Sequence, residues 1–162
     1  MGFFSRVIRA LLSFFHPSPR RRRRRKHYPK DLRAAMRQIN NIRKRHGVEP
    51  IPIDDRALRL ARARLRDLHR YHYFAHINPK TKSSPDTLKG KFGFKPHEGV
   101  AENLFGGGRS NNMRQAVDAW MKSEGHRRNL LFPEYVGGAV AAYRGNVVFI
   151  GAIDCRECHQ EW

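Results

Sequence analysis

The chain has 162 residues, which suits one ordinary domain with a tail and excludes a second folding unit of normal size. Its formal net charge is +19, and residues 1–30 contribute ten Lys or Arg residues and no acid. The first segment is therefore an appendage with its own electrostatic role. Only two cysteines occur, both near the C-terminus, so no disulfide framework can hold the core together.

Residues 1–16 have the pattern of an amphipathic helix. Apolar side chains recur at helical spacing from Phe3 to Phe15, while Arg6 and Arg9 fall largely on the opposite side. The run is too short and too charged to span a bilayer, which needs roughly 20 apolar residues. The pattern predicts a helix that lies in a membrane interface.

A Pro- and Arg-rich linker follows at residues 17–29. It contains seven consecutive cations, Arg20, Arg21, Arg22, Arg23, Arg24, Arg25 and Lys26. Next to an apolar helix, each charge adds about 1 kcal/mol of attraction to an anionic leaflet, so we expect peripheral association with an anionic membrane surface. The alternatives are an export signal, which would make the protein secreted or extracellular, a solvated linker, and a nucleic-acid-binding patch.

The remaining domain, residues 30–154, begins with two segments that have helical periodicity. Asp31 begins a first helix that ends at Gly47, and Asp54 or Asp55 caps a second helix. The spacing predicts that the second helix buries an apolar side and turns a strongly positive side to solvent. Its predicted outer residues are Arg56, Arg59, Arg62, Arg66 and Arg70, and its predicted buried residues are Leu58, Ala61, Leu65 and Leu68.

Strands are concentrated in the second half of this domain. A short third helix begins at Ser84, Val100–Phe105 reads as a brief strand, and one residue of the pair Asn111-Asn112 caps a fourth helix. Val136–Tyr143 and Val147–Ile153 are β-branched and apolar and are separated by a short turn, which predicts an antiparallel hairpin. Helices first and strands last indicate an α+β fold.

Five segments of this domain occur in an order that carries a family resemblance. They are Ile39–Arg43 followed by Gly47 and Pro50, Tyr73–His76, Ala101–Asn103, Trp120–Leu131 and Tyr135–Ala139. Together they resemble the CAP superfamily of cysteine-rich secretory and pathogenesis-related (SCP-like) proteins, in its prokaryotic form. The resemblance implies an α-β-α sandwich in which a small, mainly antiparallel sheet is held between helices.

The same resemblance implies that His76, Glu102 and His126 line one cleft, with His126 in a loop after the fourth helix. Two imidazoles and a carboxylate are suitable ligands for Zn²⁺ or a similar divalent cation with one open position. Ser123 stands where eukaryotic members have a second cleft acid, and neighbouring Glu124 is the candidate to replace that acid. The structural alternative is that the three side chains hydrogen-bond to one another without a metal.

Binding is a better interpretation of these residues than catalysis, and no catalytic residue is assigned. We expect a CAP-like domain that binds a divalent metal or a small or lipidic ligand at a membrane surface. A metal-dependent hydrolase is the second interpretation, because an open coordination site activates water, with Glu124 or Ser123 assisting. A basic nucleic-acid-associated protein is the third.

The last segment, residues 155–162, contains Cys155-x-x-Cys158-His159, which has the spacing of a c-type haem attachment site. Only three residues follow it and no second axial ligand is indicated, so haem is not expected. A disulfide or thiol pair is favoured, and a partial zinc site is the alternative.

Overall fold

The computed structural model describes residues 27–106 and 112–154. In these ranges five α-helices and three strands follow one another, with no helix long and apolar enough to traverse a bilayer. The predicted amphipathic helix, the run of seven cations and the Cys155-x-x-Cys158-His159 tail lie outside the described residues. Those three interpretations stay predictions.

The first helix, α1, spans Lys30–Arg45 and buries the apolar side that the periodicity predicts, including Leu32 and Ile39. It ends before Gly47, whose φ of 71° lies in the left-handed region that favours glycine. The amide of Val48 donates to the carbonyl of Arg43, which closes the end of the helix.

The second helix, α2, spans Asp55–Tyr71 and is capped by Asp54. The Asp54 carboxylate accepts hydrogen bonds from the backbone amides of Arg56 at 2.7 Å and Ala57 at 3.2 Å. The predicted apolar side is buried, but one cation, Arg64, lies among these residues and is fully buried as well. The sequence interpretation did not include Arg64.

Two further helices confirm their predicted caps. Helix α3 (Pro85–Leu88) begins with a capping box on Ser84 and continues as a 3₁₀ turn, Lys89–Phe92. Helix α4 (Met113–Lys122) is capped by Asn112, whose side chain accepts from the amides of Arg114 and Gln115 at 3.0 and 3.2 Å.

The predicted loop around His126 is wrong, because Glu124–Leu130 forms a fifth helix, α5. Gly125 lowers the helical propensity of this segment, which favours a loop on sequence grounds. Gly125 nevertheless lies in the first turn, and its φ is not positive. The helix begins directly after Ser123, where α4 ends.

The sheet contains β1 (Glu98–Phe105), β2 (Tyr135–Tyr143) and β3 (Asn146–Asp154) in the order β1-β3-β2, with both pairings antiparallel. The β2–β3 hairpin turns at Arg144-Gly145, whose φ values of 48° and 81° are those of a type I′ turn. A parallel bridge between Ile53 and Gly138 adds to the edge at β2. The predicted hairpin and the mainly antiparallel sheet are confirmed.

The core lies around the central strand β3, because all six residues from Val147 to Ala152 are buried. Side chains on both faces of the sheet must therefore be covered. Helix α2 packs on one side, and α1, α4 and α5 pack together on the other. The result is the predicted α-β-α sandwich, in which Trp120 of α4 is buried and donates from Nε1 to the carbonyl of Leu104 at 2.9 Å.

Candidate binding cleft

The structure brings His76, Glu102 and His126 to one open cleft of about 400 Å³. His76 comes from the turn after α2, Glu102 from the edge strand β1, and His126 from the first turn of α5. The cleft is also lined by Ala101, Asn103, Ser123, Gly125 and Asn129. Residues that are far apart in sequence thus share one polar hollow at the edge of the sheet.

A buried arginine, Arg64, supports two of the segments that line this cleft. Its Nε donates to Glu102 Oε1 at 2.9 Å, and its Nη2 donates to the carbonyl oxygens of Ala75 at 3.1 Å and His76 at 3.0 Å. The side chains of Arg64 and Glu102 are 0% and 2% exposed. Arg64 therefore fixes both the carboxylate and the backbone of the turn that carries His76.

Charge pairing keeps Arg64 ionised in the protein interior. Burial lowers the pKa of Arg64, but the hydrogen bonds and negative charge of Glu102, together with the Tyr73 hydroxyl, outweigh burial and leave the pKa raised. A buried cation without such partners would be strongly destabilising. Arg64 and Glu102 therefore form an internal ion pair.

Asp67, less than one turn further along α2, extends the same cluster. It accepts hydrogen bonds from Arg64 Nη1 at 3.2 Å, from Asn78 Nδ2 at 3.1 Å and from the Tyr73 hydroxyl. Burial and the bond to Asp67 raise the pKa of Tyr73 to about 12, so the hydroxyl keeps its proton. Asn78 is fully buried and accepts from the amide of Lys80 at 2.8 Å. The turn after α2 is thus a fixed structure.

His76 is bonded to Glu102, with 3.0 Å between Nδ1 and Oε2. A carboxylate only accepts hydrogen bonds, so Nδ1 carries the proton and Nε2 is the nitrogen that titrates. The hydrogen bond to Glu102 raises the pKa of His76 above its ordinary value, with burial and Arg64 opposing this effect. The His76 side chain is 58% exposed, which leaves the ring accessible.

His126 has the opposite electrostatic environment. Burial, and then the positive charge of His76, lower the pKa of His126. Its Nδ1 lies 2.9 Å from Ser123 Oγ. Ser123 precedes α5 as the N-cap residue, but its side chain makes no capping hydrogen bond and contacts the ring instead. The cleft therefore combines a histidine whose pKa is raised with one whose pKa is lowered.

A chain of amides connects His126 to the core. Asn103 Nδ2 donates to the carbonyl of His126 at 3.0 Å, and Asn129 Nδ2 donates to Asn103 Oδ1 at 2.7 Å. The Tyr135 hydroxyl donates to Asn129 Oδ1. The Tyr135 ring lies directly over Gly151, where a Cβ atom would collide with it.

The two secondary residues have different positions. Ser123 lines the cleft, whereas Glu124 is not among the lining residues. The Glu124 carboxylate is 81% exposed and lies 3.9 Å from Arg128 Nη1, one turn along α5. Glu124 thus lies outside the cleft lining in this arrangement, and its role as a replacement acid stays a prediction.

The zinc site that the resemblance implies is not seen as a grouped set of donors in the described residues. Within residues 27–106 and 112–154, no three His, Cys, Asp or Glu side chains are grouped closely enough to hold a metal ion. Glu102, the carboxylate expected to balance the metal charge, already accepts from Arg64 and His76 through its two oxygens. The assignment of His76, Glu102 and His126 as zinc ligands stays a prediction, which a zinc titration tests.

Fold and cleft together define a class of protein: a three-stranded α-β-α sandwich with an open polar cleft at the edge strand, lined by two histidines and a buried carboxylate. Comparison with known families agrees with this class. The model of CAP, the cysteine-rich secretory protein family, matches residues 36–150, and the chain belongs to this family.

Two curated relatives come from Bacillus subtilis (strain 168). The uncharacterized protein YkwD is 35% identical over 103 residues, which are 64% of this chain and 38% of that protein. The uncharacterized membrane protein YlbC is 33% identical over 98 residues, which are 59% of this chain and 27% of that protein. The chain thus spans well under half the length of the curated relatives it matches.

Solved structures show the same fold. An extracellular protein containing an SCP domain from Bacillus anthracis str. Ames has a TM-score of 0.62 at 27% identity, covering 75% of this chain and 39% of that one. A cysteine-rich secretory protein from Staphylococcus aureus subsp. aureus Mu50 has a TM-score of 0.58 at 21% identity, covering 79% and 40%. An outer surface protein from Borrelia burgdorferi has a TM-score of 0.64 at 17% identity, covering 82% and 97%.

Proposed function

We propose that this CAP domain is a binding module whose cleft takes a small ligand with an anionic or hydrogen-bond-accepting group. The observation that carries this proposal is the internal pair of Arg64 with Glu102. Glu102 is the acid among the cleft-lining residues, and Arg64 balances its charge. Protonation of His76 then places a positive charge on the exposed ring of the cleft, beside a carboxylate that is already paired, which favours an anionic group.

Binding agrees with the geometry better than turnover does. The Glu102 side chain is 2% exposed and both its oxygens are bonded, so it is not free to take a proton from a substrate water. Ser123 and His126 are in contact, but in the described part of the chain no carboxylate is bonded to the His126 ring to orient it as a base. The metal-dependent hydrolase also needs a metal at this cleft, and metal binding there stays a prediction.

The cleft proposal is tested by following histidine ring signals of the full-length protein by NMR. Inorganic phosphate and soluble dihexanoyl phosphatidylglycerol serve as probes. We expect saturable shifts of His76 and His126 and none of His46, which is exposed at the end of α1. Shifts with both probes indicate recognition of phosphate, and shifts with the lipid alone indicate recognition of the lipid molecule.

Substitution completes this test. His76→Ala should abolish saturable binding of whichever probe shifts the rings, whereas His46→Ala should leave it unchanged. If neither probe shifts the His76 and His126 signals, or if both alanine variants bind equally, the proposal is wrong.

We further propose that the N-terminal segment holds the domain at an anionic membrane surface. The support is the apolar pattern from Phe3 to Phe15 followed by seven consecutive cations in the sequence. YlbC, one of the B. subtilis relatives, is described as a membrane protein. A short apolar helix and a basic run each bind weakly, but together they form a stable peripheral anchor.

This second part is tested with sedimentation of vesicles made of equal parts phosphatidylglycerol and phosphatidylcholine. Replacing Arg20, Arg21 and Arg22 by Gln should weaken partitioning about a hundredfold, because each cation contributes about 1 kcal/mol. The matched control replaces three exposed arginines of α2, Arg59, Arg62 and Arg66, by Gln. Equal losses in the two variants would overturn the proposal. Loss of oligonucleotide binding instead of vesicle binding would support the nucleic-acid interpretation.

A further inference from the structure

The two ends of the sheet differ in charge. At the end where β1 begins and β3 ends, Glu98 pairs in register with Asp154, and Asp54 lies against Gly137 of β2. The opposite end contains the Arg144-Gly145 turn and the end of α2. Three stretches, 68–85, 103–106 and 135–153, include these opposite elements and contain no Asp or Glu at all.

Aromatic side chains are exposed at this end, where Asp67 is bonded to Arg64, Tyr73 and Asn78. Phe74 is 54% exposed and Tyr143 is 38% exposed. A Cβ atom at Gly106 would collide with both the Phe74 ring and the Asn146 side chain, so both side chains lie against this glycine. Asn146 pairs with Tyr143 in the hairpin, so Phe74 and Tyr143 both lie at the end of the sheet marked by Asn146.

An arginine and a histidine lie beside Tyr143, and Arg144 Nη1 lies 2.6 Å from His69 Nε2. The Arg144 guanidinium lies 5.3 Å from the centre of the Tyr143 ring, and the His69 ring lies 5.6 Å from it. The His72 ring lies 6.0 Å from that of His69. We name Phe74, Tyr143, Arg144, His69 and His72 the tip surface.

The exposure of Phe74 is built into a rigid turn. Arg64 holds the carbonyls of Ala75 and His76, and the buried side chain of Asn78 is bonded to Asp67. These bonds fix the backbone directly after Phe74, in the turn from which its ring projects. Apolar side chains held in water next to cations mark an interaction surface.

We propose that the tip surface inserts Phe74 and Tyr143 into the interface of an anionic membrane, with Arg144 contacting lipid phosphates. Exposed aromatic rings with an arginine beside them complement the interface region of an anionic bilayer. Ile77, in the same turn, is 57% exposed and aliphatic, which suits lipid and offers no ring for a nucleic-acid base. The proposal adds a second contact to the proposed membrane association and does not depend on the N-terminal segment.

The experiment measures partitioning of the full-length protein onto vesicles of equal parts phosphatidylglycerol and phosphatidylcholine. The double variant Phe74→Ser/Tyr143→Ser should partition roughly tenfold more weakly, because two apolar rings no longer leave water. The matched control is Val136→Ser, an apolar residue that is 49% exposed near the other end of β2. Both replaced rings are exposed, and thermal unfolding verifies that each variant is folded.

A second measurement separates the tip surface from the N-terminal anchor. Phe74→Trp should show a blue shift of tryptophan emission on adding vesicles, and Val136→Trp should not, both relative to the wild-type chain. The shift should persist at high lipid concentration when Arg20, Arg21 and Arg22 are replaced by Gln. No shift from Phe74→Trp, or wild-type partitioning of the serine variant, overturns the tip proposal while leaving the anchor standing. Loss of oligonucleotide binding without loss of vesicle binding overturns it as well.

Discussion

Arg43 and Arg64 are both fully buried, yet their partners differ in kind. Arg43 donates to three backbone carbonyls, those of Glu49 at 2.7 Å, Leu130 at 2.8 Å and Phe132 at 2.9 Å. Its Nη2 has no hydrogen-bond partner among the described residues, and burial lowers its pKa. Arg64 is paired with the carboxylates of Glu102 and Asp67, and its pKa is raised.

The difference shows that partners, and not burial, decide what a buried cation does. Arg43 ties the end of α1 to the end of α5 and the chain after it through neutral dipoles, and its hydrogen bonds reach no cleft-lining residue. Arg64 brings two acids into the interior and thereby creates the polar cluster on which His76 rests. One arginine joins pieces of the fold, and the other builds the site.

The largest effect should come from Arg64→Leu. This change leaves Glu102 buried without its counter-charge and frees the carbonyls of Ala75 and His76. We expect the free energy of unfolding to fall by about 3–5 kcal/mol, measured by urea denaturation. Arg64→Lys retains the charge but not the forked geometry, so it should recover part of the loss. A fall below about 1 kcal/mol would show that the ion pair is not the support of the cleft.

Arg43→Met should have a smaller effect. It removes three hydrogen bonds to carbonyls but also removes a buried charge that has no acidic partner, so the two terms partly cancel. We expect a loss of about 1–3 kcal/mol in the same urea titration. The pKa of His76, followed by NMR, should not change in this variant. A changed His76 pKa would mean that Arg43 and the cleft are coupled.

The pH dependence of stability should distinguish the region around Arg64, where His76 titrates, from the region around Arg43. Because Glu102 raises the folded-state pKa of His76, the stabilisation from this pair is fully present below the ordinary histidine pKa of about 6.5. It is lost as the pH rises through the folded-state pKa. Glu102→Gln should lower the pKa of His76 in an NMR titration. An unchanged pKa in this variant would contradict the assigned hydrogen bond.

The smallest expected effect is that of added zinc. If Arg64 already neutralises Glu102, a second cation gains little from the same carboxylate. In a Cys155→Ser/Cys158→Ser background, which removes the thiols of the tail, calorimetry should show no stoichiometric heat that depends on His76 and His126. A heat that both His76→Ala and His126→Ala abolish would instead establish the zinc site that the family resemblance implies.

Sequence patterns predict the helices with clear caps and the hairpin well, because these depend on neighbours within a few residues. The helix around His126 escapes prediction because Gly125 disfavours it locally, whereas Asn103 and Asn129, which support it, meet only in the fold. Tertiary contacts determine whether such a segment is helical.

The supporting residues of the cleft were harder to predict than its lining. Arg64 stands in a series of arginines along α2 and reads as one more exposed cation, although its spacing from Ala61 and Leu68 places it on the apolar side. That spacing was the available signal. Its partner Glu102 lies 38 positions away in the chain, so the pair itself is invisible to local patterns.

The bare backbone at Gly151 has a consequence for evolution and engineering of the cleft. A methyl group there would push the Tyr135 ring off the sheet, and with it the hydroxyl that orients Asn129 and, through Asn103, the first turn of α5. A change of one carbon deep in the middle strand would thereby be transmitted to the wall of a pocket it never touches. The shape of the cleft can thus be altered from the interior of the sheet as well as from the surface.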